Sequence, residues 1–174
     1  IAIGDRALTS GKNAIAIGGN AYTGNTSAQG DGALAVGSGA TSSGWGAVAL
    51  GGLSGSNGGS QANEDFAVAI GSAAHALASG AVAIGGTNNS KANASGIDSL
   101  AIGAGSQTQI GTQNAMAIGT GAKALSNNAL SLGANSSTTQ AGGVALGNNS
   151  VSSTAAGIVG YIPNANSVLA SNAI

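Results

Sequence analysis

The chain repeats one five-residue phrase with small changes along its length, and the clearest copy is Ala67-Val68-Ala69-Ile70-Gly71. A small residue alternates with a large aliphatic one, so residues two apart share a face, as in a β-strand. The closing glycine is typical of a turn. Equivalent phrases begin at residues 14, 33, 47, 67, 81, 99, 115, 129 and 143, after an opening Ile1-Ala2-Ile3-Gly4 and before a decayed copy at 157–160.

The spacing of the closing glycines sets the period of the repeat. From Gly4 to Gly160, successive closing glycines are 14, 19, 14, 20, 14, 18, 16, 14, 14 and 13 residues apart. A fixed period with local insertions is the signature of a solenoid. We therefore expect one elongated domain over residues 1–160, with long turns near 19–32, 52–66 and 86–98.

A second, weaker alternation of small residues lies between the phrases. Gly71, for example, is followed by Ser72-Ala73-Ala74-His75-Ala76-Leu77-Ala78-Ser79-Gly80, which predicts a turn, a short strand and a second turn. Each coil should hold two short strands and two tight turns, with Gly, Asn and Ser where left-handed dihedrals are needed. Parallel stacking at about 4.8 Å per coil gives an all-β parallel roll on the order of 50 Å long.

Composition limits both the core and the possible functions. With 32 Gly among 174 residues and only 2% aromatics, the interior must be narrow, and we expect stacked Ala and single aliphatic side chains to fill it. A net charge of −1 without a basic run argues against nucleic acid or an anionic membrane as partner. No apolar run approaches the roughly 20 residues that span a bilayer, so we expect no direct membrane insertion by this segment.

The inventory of reactive side chains argues against an enzyme. The chain has one His, no Cys and five carboxylates, too few for a catalytic triad, a metal cluster or an acid pair. Glu64 and Asp65 are adjacent, and adjacent side chains on an extended chain point apart. We expect no cofactor and no metal site, and an exposed, solvated position for His75.

The repeated strand is apolar on both faces, and only one face can line the roll. Large aliphatic residues occupy one face and Ala the other, and the sequence leaves open which of them is inside. A strand that is apolar on both sides is normally covered on both sides, and an exposed strip of ten strands would exceed what a soluble monomer usually shows. We therefore expect identical rolls to associate side by side, as in a closed ring.

The phrase Ala67–Gly71 followed by Ser72, with Gly37-Ser38 and Gly147-Asn148 in companion copies, resembles the head repeats of YadA-like trimeric autotransporter adhesins. The resemblance covers residues 1–160. It implies left-handed parallel β-rolls assembled as a homotrimer and displayed at the outer membrane of a Gram-negative bacterium. It also implies a virulence function, multivalent attachment to a host extracellular-matrix or cell-surface protein. Residues 161–174 lack the charged neck of that family, so we expect them to continue the head and stop before a neck.

Local function, if present, should lie in the long units. They contain five of the nine charged residues and two of the four aromatic ones. The candidate binding residues are therefore Tyr22, Asp31, Glu64, Asp65, Phe66, Lys91 and Asp98. Two interpretations stay open: these turns are recognition loops, or they are solvated caps that cover a groove between subunits. Trp45 is expected to pack laterally or at a subunit boundary rather than against a ligand.

The first hypothesis is the head of a surface adhesin, and the alternative is a structural spacer of the same fold that carries a separate binding domain. A monomeric solenoid enzyme or ice-binding protein is disfavoured by the missing catalytic groups and by Thr residues at irregular offsets. From packing alone, Asp at both Ile70 and Ile84 should prevent either folding or assembly.

Overall fold

The computed structural model describes residues 1–19, 24–52, 58–87 and 89–154. These residues form short β-strands connected by turns, without a helix. The strands are β1 (Ala2–Ile3), β2 (Ala7–Thr9), β3 (Ile15–Ile17), β4 (Thr26–Ala28), β5 (Leu34–Val36), β6 (Thr41–Ser42), β7 (Val48–Leu50), β8 (Gln61–Ala62), β9 (Val68–Ile70), β10 (Ala74–Ala76), β11 (Val82–Ile84), β12 (Gly86–Thr87), β13 (Ser90–Ala94), β14 (Leu100–Ile102), β15 (Gln107–Thr108), β16 (Met116–Ile118), β17 (Lys123–Ala124), β18 (Leu130–Leu132), β19 (Ser137–Thr138), β20 (Val144–Leu146) and β21 (Val151–Ser152).

The strands form two parallel sheets that follow the coils of a solenoid. The phrase sheet contains the repeated phrases, in the order β1-β3-β5-β7-β9-β11-β14-β16-β18-β20. The second sheet has the order β2-β4-β6-β8-β10-β13-β15-β17-β19-β21, and β12 pairs with β13 outside this order. The predicted parallel β-solenoid, with about 14 residues and two strands per coil, is confirmed.

The register places equivalent residues of successive coils on top of one another. Ala69 pairs with Ala49 on one side and with Ala83 on the other. Backbone hydrogen bonds join the coils on both sides of a phrase, from the Gly71 amide to the Leu50 carbonyl at 2.7 Å and from the Val68 amide to the Ala81 carbonyl at 2.9 Å. Each phrase therefore repeats the environment of the phrase before it.

Alanine lines the interior of the roll. Ala67, Ala69, Ala74 and Ala76 are fully buried, and their counterparts in the other coils are buried in the same way. The large aliphatic residues of the phrases point outward, and Ile70 is 38% exposed. The expectation that single aliphatic side chains share the interior is therefore wrong, because the side chains that fit between the two sheets are no larger than Thr.

Ser and Thr replace Ala at interior positions in early and later coils alike, from Thr26 and Ser42 to Thr138, and hydrogen bonds satisfy their hydroxyl groups. Thr138 Oγ1 donates to the Leu130 carbonyl at 2.8 Å and accepts from Ser131 Oγ at 2.8 Å. Ser99 Oγ lies 2.9 Å from Thr108 Oγ1. A buried hydroxyl costs little when it is bonded in this way, so the narrow interior tolerates these polar residues.

The two edges of the roll accommodate length differently. The first edge connects the phrase sheet to the second sheet, and its segments are longer in the long units. Residues 18–25, 51–60 and 85–89, the last of which include β12, separate the flanking strands there, against 71–73 in a plain coil. The second edge leads back to the phrase sheet. It consists of 10–14, 29–33, 43–47, 63–67, 77–81, 95–99, 109–115, 125–129 and 139–143, which are of equal length except for 109–115.

Gly85 illustrates the backbone that the closing glycines supply. Its φ is +99°, in a region that side chains rarely adopt, and its amide donates to the Ile70 carbonyl at 2.8 Å. A Cβ built on Gly85 would lie 3.4 Å from Gly103, so the main obstacle to a side chain is the backbone conformation. The predicted turn at this glycine is confirmed.

Replacing Gly85 with Val should destabilise the roll by about 1–3 kcal/mol, because a β-branched residue is strained at positive φ. Thermal unfolding followed by circular dichroism at fixed protein concentration measures the effect. Thr87→Val, which places the same side chain two residues away on an exposed strand, is the matched control and should leave the melting temperature unchanged. Equal melting temperatures for Gly85→Val and the native chain would contradict the assigned role of this glycine.

Candidate functional site

An aliphatic strip covers the outer face of the phrase sheet. It consists of two parallel rows of large side chains that stack in register from coil to coil. One row contains Ile15, Leu34, Val48, Val68, Val82, Leu100, Met116, Leu130 and Val144, and the other contains Ile3, Ile17, Val36, Leu50, Ile70, Ile84, Ile102, Ile118, Leu132 and Leu146. These side chains are half-buried or exposed in the single chain, so the strip is a large continuous apolar surface.

Five of the seven predicted binding residues lie together along the second edge. Asp31 and Asp65 occupy the same position of their turns, two residues before a phrase. Phe66 and Asp98 occupy the next position, and Glu64 the one before. Trp45 lies between Asp31 and Asp65, in the turn of the intervening coil. Three successive coils thus bring Asp31, Trp45, Glu64, Asp65 and Phe66 together, and we call this group the Trp45 patch.

The two aromatic rings of the Trp45 patch contact each other and remain exposed. Their centroids are 5.1 Å apart with an interplanar angle of 70°, an edge-to-face arrangement. Trp45 is 57% exposed and Phe66 56%. Trp45 thus contacts the next coil through Phe66 while most of its ring faces solvent in the single chain, and its expected position in lateral packing or at a subunit boundary stays a prediction.

The aspartates of the patch are tied to the backbone of the preceding coil. Asp65 Oδ1 accepts a hydrogen bond from the Trp45 amide at 2.8 Å, and Asp31 Oδ1 accepts one from the Lys12 amide at 2.7 Å. Each bond uses one oxygen of the carboxylate, and the side chains are exposed. The carboxylates are thus held at fixed positions while their second oxygens remain accessible to solvent.

The other two predicted residues lie elsewhere. Lys91 is exposed on β13, beside the β12–β13 hairpin of the first edge. Tyr22 lies outside the described residues, as do 53–57 of the predicted long turn at 52–66. The sequence grouped the candidates by unit, but the units differ in length at the first edge, whereas the acidic candidates and Phe66 are on the second edge in turns of ordinary length. The signal for this grouping in the sequence was that each of these residues lies one to three residues before a phrase.

His75 is buried, and the expectation of a solvated histidine is wrong. Its strand, β10, pairs with Gln61 on one side and Asn93 on the other, and the side chain is only 8% exposed. Nε2 is buried and has no hydrogen-bond partner. Burial, with a smaller contribution from the positive charge of Lys91, lowers the pKa of His75 from 6.5 to about 4. The imidazole is therefore neutral at physiological pH.

Two further findings concern the described residues only. No group of three acidic or histidine side chains is placed to hold a metal ion there. No helix in that part of the chain has the length and apolar character to cross a membrane.

Comparison with known families gives one match. The model described as "YadA head domain repeat (2 copies)" matches residues 1–21, 28–54, 58–87, 90–108, 113–136 and 126–150. The matched segments cover well over half of the chain and include every complete phrase. Among curated proteins, none matches the chain.

The buried histidine predicts a stability that falls in mild acid. Because the pKa is about 4 in the folded chain and 6.5 in the unfolded one, the unfolded state binds the proton more readily, and stability is lost as the pH falls from about 6.5 to about 4. Among the strands packed against β10, which are β8, β9, β11 and β13, Lys91 is the only charged residue.

His75→Gln introduces the residue that the paired position Gln61 already has. It should remove the part of the pH dependence of stability that comes from the histidine. We expect the native chain to lose on the order of 2 kcal/mol more than the variant between about pH 7.5 and about pH 4.5. Denaturant unfolding of both proteins at the two pH values measures the difference. All other ionisable groups are the same in the two proteins, so their contribution cancels. Identical losses would show that His75 is accessible to protons in the folded chain.

Proposed function

This chain belongs to the family of YadA head domain repeats, and we propose that it is the head segment of a trimeric adhesin at the bacterial outer membrane, exposed to the outside. The family consists of adhesin-type structural domains of the cell surface rather than enzymes. The observation that carries the proposal is the aliphatic strip, since a roll that has this strip on its surface requires a partner along its whole length.

The proposed partner is two further copies of the same chain, packed as left-handed rolls side by side. Ten strands at about 4.8 Å make the strip on the order of 45 Å long, and soluble monomers rarely expose a continuous apolar surface of this kind. A ring of identical subunits buries the strip of each subunit. The outward row of the second sheet carries polar residues such as Thr41, Gln61, Asn93 and Gln107. This supports an arrangement in which the phrase sheet, and not the second sheet, faces the other subunits.

Replacing both Ile70 and Ile84 with Asp should leave the roll folded and prevent assembly. Both side chains point outward, so the variant buries no carboxylate within its own roll, but the trimer would have to bury two per subunit. Sedimentation equilibrium should give three chain masses for the native protein and one for the variant, with circular dichroism showing strand content in both.

Gln107→Asp with Lys123→Asp is the matched control, because these residues are exposed on paired strands of the second sheet. This variant should remain trimeric. A trimeric Ile70→Asp, Ile84→Asp variant, or a folded monomer of the native chain, would overturn the proposed interface.

We propose that the trimer attaches to a host extracellular-matrix or cell-surface protein. Three equivalent subunits present every surface site three times, so weak contacts combine into firm attachment. The structural spacer remains the second candidate. It is favoured by the regularity of residues 113–154, where the coils lack charged or aromatic side chains other than Lys123.

Shortening the first-edge insertions at 52–58 and 86–89 to the length of plain coils tests whether a host protein binds at these insertions or at the second edge. If the insertions are recognition loops, binding of the trimer to immobilised matrix proteins should fall at least tenfold, whereas binding through the second edge should be unchanged. Sedimentation of the shortened chain checks that the trimer is intact. A native trimer that binds no matrix protein or host cell would support the spacer instead.

A further inference from the structure

The Trp45 patch combines features that a purely structural turn does not need. In the other described coils, the position of Phe66 is filled by residues that tolerate left-handed dihedrals. These are Asn13, Gly32, Gly46, Gly80, Asp98, Asn114, Asn128 and Gly142. Phe66 has a φ of +59°, a strained conformation for a bulky residue. Strain of this kind concentrates at functional sites, and here it places an aromatic ring on the surface.

The electrostatic environment of the patch is acidic. Residues 13–90 contain Asp31, Glu64 and Asp65 but no Lys or Arg. Lys12 occupies the position of Asp31 in the preceding coil, where its amide donates to Asp31 Oδ1. Glu64 and Asp65, on the other side of Trp45, are the carboxylates farther from that cation. Carboxylates that surround an exposed aromatic pair favour a cation and repel an anion. An arginine side chain can satisfy both features at once, because its planar guanidinium stacks on an indole face and its N–H groups pair with carboxylates.

We propose that the Trp45 patch binds an arginine side chain presented by a basic, extended segment of a partner protein. The guanidinium stacks on Trp45, with Phe66 fixing the tilt of the indole from its edge. Asp65 and Glu64, on the side of Trp45 away from Lys12, accept hydrogen bonds from the guanidinium. This inference rests on the proposed adhesin function, and it assigns attachment to the second edge rather than to the insertions.

The chain offers a direct optical test, because Trp45 is its only tryptophan. The probe is a blocked heptapeptide of alternating Gly and Arg, titrated into the full chain while Trp45 fluorescence is recorded. Peptides of the same length with Glu or Gln in place of Arg are the comparisons. We expect saturable change with the Arg peptide, weaker binding as salt is raised, and no saturation with the Glu peptide.

Variants at the patch separate binding from folding. Phe66→Asn introduces the residue that sister turns use at this position, so the chain should fold at least as stably as the native one while binding the Arg peptide at least about fivefold more weakly. Glu64→Gln with Asp65→Asn keeps the acceptor for the Trp45 amide and removes two charges, with a similar loss expected. Asp5→Asn with Gln107→Lys, which changes the net charge by the same amount at two exposed positions outside the patch, is the charge-matched control and should bind like the native chain.

The outcomes distinguish this inference from the trimer on which it rests. Equal binding of Arg and Glu peptides, native affinity in Phe66→Asn, or saturation by a neutral oligosaccharide but not by the Arg peptide would overturn the arginine site. Sedimentation of the same samples reports assembly separately. A monomer that binds the Arg peptide would overturn the trimer and keep the site, whereas a trimer that ignores the peptide would overturn the site alone.

Discussion

The structure depends on the close approach of two parallel sheets whose coils pair in register. Backbone hydrogen bonds run from coil to coil, and the space between the sheets is one small side chain wide, as the fully buried Ala69 and Ala83 show. A larger side chain at these positions would separate the sheets in its own coil and disturb the register of its neighbours. Ser131 and Thr138 fit because their hydroxyl groups find partners inside.

This narrow interior determines where the apolar surface of the protein lies. In a globular domain, residues such as Ile70 and Leu132 would form the core, but here Ala occupies the core and the large side chains are outside. In the proposed trimer their burial comes from the neighbouring subunits, which would couple the stability of the roll to assembly.

The two edges of the roll have different uses. The first edge absorbs extra residues without disturbing the sheets, including the β12–β13 hairpin. The second edge keeps its length through most of the roll, so residues of successive turns align as they do in a sheet. Asp31, Trp45 and Asp65 are far apart in sequence and adjacent in space for this reason. A solenoid can thus assemble a compact patch from three turns without a dedicated loop.

The strands, the turns and the parallel stacking could be predicted from the sequence alone. The phrase and its period of 14 are sufficient for this, because each strand pairs only with the equivalent strands of the adjacent coils. The sequence also pointed to Asp31, Glu64, Asp65, Phe66 and Asp98, because charged and aromatic residues are rare in this chain. Which face of the phrase lines the interior became clear only from the tertiary structure. The alternation gives one Ala face and one face of large aliphatic residues, and the short distance between the two sheets leaves room inside only for small side chains such as Ala in the phrase strands. The tertiary structure also decided that His75 is buried and that Trp45 joins the acidic residues at one edge, because these depend on packing between coils.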